Sequence, residues 1–322
     1  TGIREYIDPA LLASQVKVIQ KLNEQEEITT LAQLNEIIKV VNEAYTGDEW
    51  EKLTDETLEE SSVLDLQWLA LLYGSTFGVT VAGLLRKNVK AYINRQFMTM
   101  GNKAGNWQYF TNNQTRQQRE IISGIIKTGY AQGLTPKQIS TQIRQATKGV
   151  LKRNADTLAR TGFAHYTNAA REYQATQTPK LNEVVFIAVL DSRTTFQCMG
   201  LHLTRWVIGS KAIRRPPLHF NCRSILVYVP KGTKLNGSNA AINASKAKGV
   251  NRKTDKGRNV KASTPYGKWL LEQSDEFVVE TLGKNRAEMF LSGQVTIKQF
   301  TDMSGRTLTL EQLRKKYKID KP

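Results

Sequence analysis

Cys198, His202, His219 and Cys222 are the residues whose types and spacing point most directly to chemistry. The 322-residue chain holds two cysteines and three histidines, and these four fall within 25 residues, in DSRTTFQCMGLH and RRPPLHFNCRS. Sulfur and imidazole paired as C-x-x-x-H and H-x-x-C can close a tetrahedral site for zinc. Such a clamp would hold a long irregular loop, because metal binding is coupled to folding. The same residues also fit two buried thiols beside two histidines bonded to backbone. A Cys198–Cys222 bridge is a third reading, favoured only in oxidising surroundings. A catalytic Cys/His pair fits poorly, since no orienting third group stands at a clear spacing.

Other enzyme signals are weak. The chain has no P-loop, no G-x-G-x-x-G after a strand and no H-E-x-x-H. Glu183 and Asp191 flank one apolar run, but a metal-dependent nuclease wants several carboxylates around one ion. Residues 61–262 hold only seven acidic side chains. No catalytic residues are expected.

Charge divides the chain. Residues 1–60 carry 5 Lys and Arg against 14 Asp and Glu, whereas residues 61–262 carry 31 against 7. An acidic head on a basic body predicts two kinds of partner. The basic body can neutralise phosphates and release counterions. Residues 231–262 are rich in Gly, Asn, Ser and Lys, with nine basic residues against one Asp. That composition predicts a flexible basic linker over 233–262, with Lys246, Lys248, Arg252, Lys253, Lys256, Arg258 and Lys261 contacting DNA. No base-reading motif is present, so the expected contact is non-specific and made to phosphate. Two cysteines in this length suit a reducing compartment. Thr1 is no initiator Met, so the chain is either processed or a fragment, and no signal-peptide pattern opens it.

These residues need elements to hold them. Apolar spacing predicts two helices over 9–44, the second capped by Thr29 or Thr30. Residues 48–60 read as an acidic exposed helix or connection. Leu66 to Leu85 runs without a charge, with Gly74 and Gly78 at G-x-x-x-G spacing. It is long enough to span a bilayer, but its Gln, Ser and Thr dilute it. A buried helix, or one facing an oligomer partner, explains it equally. Helices are expected at 115–128, interrupted by Gly129 and Gly133, then from Pro136, then at 151–177. EVVFIAVL (183–190), RWVIG (205–209) and SILVYVP (224–230) read as strands. Short helices follow from Thr264, with Gly283 and Gly293 as stops. The expected fold is α+β and mainly helical, with a small sheet bracketing the Cys/His loop. The expected divisions are a helical region at 1–114, an α+β core at 115–232, the linker, and a helical tail at 263–322.

ARTGFAHYTNAAREY, then VVFIAVLDSRTTFQCMGL and PPLHFNCRS, resemble the phage head-morphogenesis proteins of the Mu F-like family. Arg160, Thr161, Asn168 and Arg171 match the family's helix. Asp191, Arg193, Thr194 and Cys198 match its strand and loop. Pro216, Pro217, His219, Asn221, Cys222 and Arg223 match its close. Trp269, Leu282, Gly283, Arg286 and Gly293 follow in the order of the family's tail, so the resemblance spans about 115–300. Where the family often pairs its cysteines, Thr195 and Ser224 stand here, and Phe220 replaces a proline. His202 could substitute for one lost ligand. The resemblance implies a non-enzymatic minor capsid protein of a tailed bacteriophage, associated with the portal protein, the major capsid protein or both, inside the head and in the host cytoplasm during assembly. It implies contact with packaged double-stranded DNA and departure with it on genome ejection. Arg160, Asp191 and Arg193 are expected to hold the fold through buried polar pairing. Two competing readings are an effector enzyme, nucleic-acid-acting or ADP-ribosyltransferase-like, and an ejected membrane-active protein resting on 66–85.

Overall fold

The computed structural model describes all residues except 1, 46, 79, 81–83, 101–102, 148–149, 236–237, 241–258, 303–304 and 320–322. It is mainly helical α+β, about 60% helix, with one small three-stranded antiparallel sheet. The chain forms two compact units. One takes residues 1–75, 83–170 and 219–222; the other takes 76–82, 171–218 and 223–322.

The first unit is helical. Helix α1 (Gly2–Asn23) packs on α2 (Leu31–Ala44). Thr30 caps α2 as expected: its hydroxyl accepts from the Gln33 N–H, and the Gln33 side chain accepts from the Thr30 N–H. Such a cap contributes about 1 kcal/mol. Helix α3 (Gly47–Phe77) joins the acidic stretch to the start of the uncharged run in one element. Leu58, Ser62, Leu66, Leu69 and Tyr73 form its buried stripe. Leu64, Trp68, Leu71 and Leu72 lie exposed on other faces. The helix ends before Gly78, whose φ of 59° leaves the helical region, so 66–85 is not one continuous span. No helix among the described residues is long and apolar enough to cross a membrane.

Helix α4 (Arg86–Arg95) returns to α3, where Arg86 and Lys90 both reach the buried Glu59 carboxylate, at 2.7 and 3.1 Å. A hairpin of β1 (Met98–Met100) and β2 (Lys103–Gly105) then leads into α5 (Trp107–Ala131). The expected division at 114/115 falls inside this helix. Its first turns look polar in sequence, yet Trp107, Phe110, Thr111, Thr115 and Gln118 recur at helical spacing and are buried. Gly129 does not interrupt α5. A Cβ there would lie 2.6 Å from Ile139 Cγ1, so glycine permits the close approach of α6 (Pro136–Thr147). The stop falls instead at Gly133, with φ of 67°. Helix α7 (Val150–Thr176) follows.

In the second unit, β3 (Glu183–Ile187) is the centre of a sheet ordered β4-β3-β5, with β4 at Arg205–Val207 and β5 at Ile225–Val229. Both pairings are antiparallel, with Val185 opposite Arg205 on one side and Val227 on the other. Val184, Val185 and Phe186 are fully buried, which is why the run reads as continuously apolar rather than alternating. Between β3 and β4 lies α8 (Phe196–Leu201), which carries Cys198. The expected linker begins and ends in paired backbone: β6 (Ser238–Ala240) pairs β7 (Asn259–Lys261).

The tail holds α9 (Tyr266–Leu271), α10 (Asp275–Leu282), α11 (Lys284–Leu291), a 3₁₀ turn at Ile297–Phe300 and α12 (Leu310–Tyr317). Gly283 and Gly293, both at φ 76°, stand at the expected stops. The tail is not a separate body. Trp269, Leu270, Phe277, Val278, Phe290 and Phe300 share one buried cluster with Leu190 and Met199. Val260 of β7 packs against the same cluster.

Candidate functional site

The segment after β3 is built around one carboxylate. Asp191 is fully buried, and Arg223, two residues before β5, grips it with two parallel bonds of 2.5 and 2.7 Å. The Arg193 N–H donates to Asp191 Oδ1 at 3.1 Å, and the Thr194 hydroxyl lies 3.0 Å from the same oxygen. That hydroxyl also lies 2.6 Å from the Val189 carbonyl oxygen. The Tyr266 hydroxyl donates to the Asp191 carbonyl at 2.5 Å. Burial pushes the Asp191 carboxyl up. Bonds and charge from Arg223, with the Thr194 and Arg193 bonds, outweigh it and hold the pKa below the ordinary aspartate value.

The expected partners need correction. Arg160 is exposed on α7, and the Arg193 guanidinium is 66% exposed with Nε 3.6 Å from Asp191. Arg193 serves the carboxylate through its backbone, and the buried ion pair belongs to Arg223. Sequence reading had placed Arg223 only by family motif, and it missed Tyr266. It also missed Glu172, whose buried carboxylate takes a two-pronged grip from Arg215 at 2.7 and 2.7 Å. The signals were an acid beside the A-A-R motif and an Arg before two prolines.

Other motif residues hold backbone. The Thr161 hydroxyl donates to the Thr157 carbonyl at 2.6 Å and accepts from the Asn221 N–H at 3.1 Å. Asn221 sits in the left-handed region at φ 58°, and its amide donates to the Thr157 hydroxyl. The Asn168 amide donates to the Ala164 carbonyl one turn back, at 2.7 Å. Pro216 and Pro217 are buried and joined by a cis peptide bond.

Of the four expected metal ligands, Cys198 and His202 belong to the second unit, and His219 and Cys222 to the first. Both thiols are buried and unbridged. His202 is engaged within its own unit. The Ala188 N–H donates to its Nδ1 at 3.0 Å, so Nε2 carries the proton and donates to the Thr264 carbonyl at 3.2 Å. With both ring nitrogens bonded, His202 ties the exit of β3 to the tail. Burial pulls its pKa down to about 4, against a partial rise from the Thr264 bond. Lys246, Lys248, Arg252, Lys253, Lys256 and Arg258 lie outside the described residues, while Lys261 is exposed on β7.

In the second unit of this mainly helical α+β fold, the Asp191–Arg223 grip ties the ends of two neighbouring strands. Residues 118–227, a third of the chain, match the family described as Phage Mu protein F like protein. No curated protein and no solved structure matches the chain. Over this segment the chain is similar to the Mu F-like phage proteins. The matched residues end at Val227, so the resemblance over Tyr266–Gly293 lies beyond them.

Proposed function

We propose that this protein is a minor head protein of a tailed bacteriophage, held at the portal, that acts in head assembly and contacts packaged DNA. The match at 118–227 carries this reading. The charge division supports it: a basic body suits a DNA-filled interior, and an acidic head suits a protein partner. Just beyond that head, Leu64, Trp68, Leu71 and Leu72 add exposed apolar area on the same helix, α3. The motif residues are read here as braces rather than catalysts. Asp191 has its oxygens engaged by Arg223, Thr194 and the Arg193 N–H, as a structural carboxylate requires.

Quantitative mass spectrometry on purified DNA-filled particles, made with and without portal protein, tests the proposal. A few copies per particle, lost when the portal is absent, is the expected result. Absence from particles that contain portal overturns it.

A further inference from the structure

We infer that two copies of this chain pair through the outer face of α3, with the two helices antiparallel. The inference stands on α3 alone, so it can fail while the minor-head reading holds, and the reverse.

Helix α3 carries two apolar seams. Leu58, Ser62, Leu66, Leu69 and Tyr73 form the buried one. Leu64, Trp68 and Leu71 are 66%, 59% and 75% exposed, and the exposed Ser75 continues the same line. Steps of four, three and four residues are the heptad spacing by which one helix presents a seam to another. Trp68 stands in the middle of that seam, and tryptophan is the residue type most enriched where binding energy concentrates.

With Leu72 beside them, these side chains expose roughly 500 Å² of apolar surface, at the upper end of the largest patch on an ordinary monomer. A stable interface buries about 800 Å² on each partner. The seam supplies over half of that, so the expected pair is reversible and concentration-dependent.

The charge pattern says which occupant fits. Residues 47–60 of α3 hold seven acidic side chains against Lys52, and residues 66–77 hold no charge of either sign. A partner recognised by charge would need charges opposite this second half, and it has none. A second copy brings the same uncharged seam. In a parallel pair the two acidic halves would lie side by side and repel. In an antiparallel pair they point away from each other.

The antiparallel arrangement is also self-complementary. About a two-fold axis, Trp68 of each copy packs on Leu71 of the other, and Leu64 meets the small Ser75 in both directions. The Ser75 hydroxyl donates to the Leu72 carbonyl of its own helix at 3.0 Å, so it brings no unsatisfied donor into the seam.

The experiment uses the full chain. Sedimentation equilibrium over a concentration series should show the mass rising from 36.3 kDa toward twice that value. Trp68→Glu and Leu71→Glu should each weaken self-association by at least about tenfold, with helix content by circular dichroism unchanged. Cross-linking reads the direction. Leu64→Cys mixed with Ser75→Cys should give a disulfide dimer on mild oxidation, whereas Leu64→Cys alone should not; the native cysteines are both buried. A wild type that keeps the single-chain mass at its highest soluble concentration overturns the proposal and leaves the face to a different protein. Undiminished self-association in both glutamate variants overturns it too. So does Leu64→Cys that cross-links to itself as readily as to Ser75→Cys. If a glutamate variant loses helix content, the wild-type mass and the cysteine pair decide.

Discussion

Asp191 and Arg223 are joined by two parallel hydrogen bonds of 2.5 and 2.7 Å, although 32 residues separate them. Asp191 lies just beyond β3 and Arg223 just before β5, the two strands that pair along the longest ladder of the sheet. The grip therefore locks the ends of adjacent strands. The Asp191 carbonyl then takes the Tyr266 hydroxyl, which ties the same node to the tail.

Removing one partner of this pair should cost more than losing the bond. Asp191→Ala leaves the Arg223 guanidinium facing a site built for a carboxylate, a loss of about 3 kcal/mol. In a unit of this size that lowers the thermal midpoint by roughly 6–12 °C. Scanning calorimetry checks this, and an unchanged midpoint would sink the bracing role. Tyr266→Phe should cost less, since it removes one neutral bond, about 1 kcal/mol.

Stability should fall on acidification, with the same sign from three groups. The folded pKa of Asp191 lies below its ordinary value, so its contribution is present above that ordinary value and is lost as pH falls through the folded one. Burial first, partly offset by a backbone bond, takes His202 and His165 from 6.5 down to about 4. Unfolded chains take up those protons more readily, so stability is full above pH 6.5 and declines toward pH 4. Midpoints recorded from pH 7.5 to 4 check the slope. His202→Asn should flatten it; a variant as pH-sensitive as the wild type contradicts the assignment.

Gly162 should be intolerant of even one methyl group. A Cβ there would lie 2.5 Å from the Trp107 ring and 2.9 Å from Leu58 Cδ1. Mid-helix Gly→Ala ordinarily gains about 1 kcal/mol from propensity. Here overpacking, typically about 1–3 kcal/mol, reverses the sign. Chemical denaturation of Gly162→Ala measures this, and a stabilised variant would show that Trp107 moves freely.

DNA affinity should fall steeply with salt. Each neutralised phosphate adds about 0.9 to the slope of log affinity against log salt. Replacing Lys246, Lys248, Arg252 and Lys253 with Gln should flatten that slope, with little preference among duplex sequences. Fluorescence anisotropy at several salt concentrations reads both quantities. An identical slope in wild type and variant would assign the contact elsewhere on the basic body.

Local signals were legible in the residues themselves. Thr30 and Gln33 form a cap because their spacing alone brings hydroxyl and amide to opposite backbone groups. The strand cores at 183, 205 and 225 follow from β-branched runs, and the stops at Gly283 and Gly293 from glycine's access to positive φ. The Cys/His clustering was visible as well, because those residue types are scarce in this chain. What tertiary structure decided were choices among partners far apart in sequence. Arg223 meets Asp191 across 32 residues because β3 and β5 are neighbours in the sheet. His202 is committed to the fold because the Ala188 N–H and the Thr264 carbonyl engage its two nitrogens. Gly129 stays inside a helix because Ile139 comes against it. Propensity and periodicity act over a few residues, whereas burial and hydrogen-bond satisfaction depend on which segments the fold brings together.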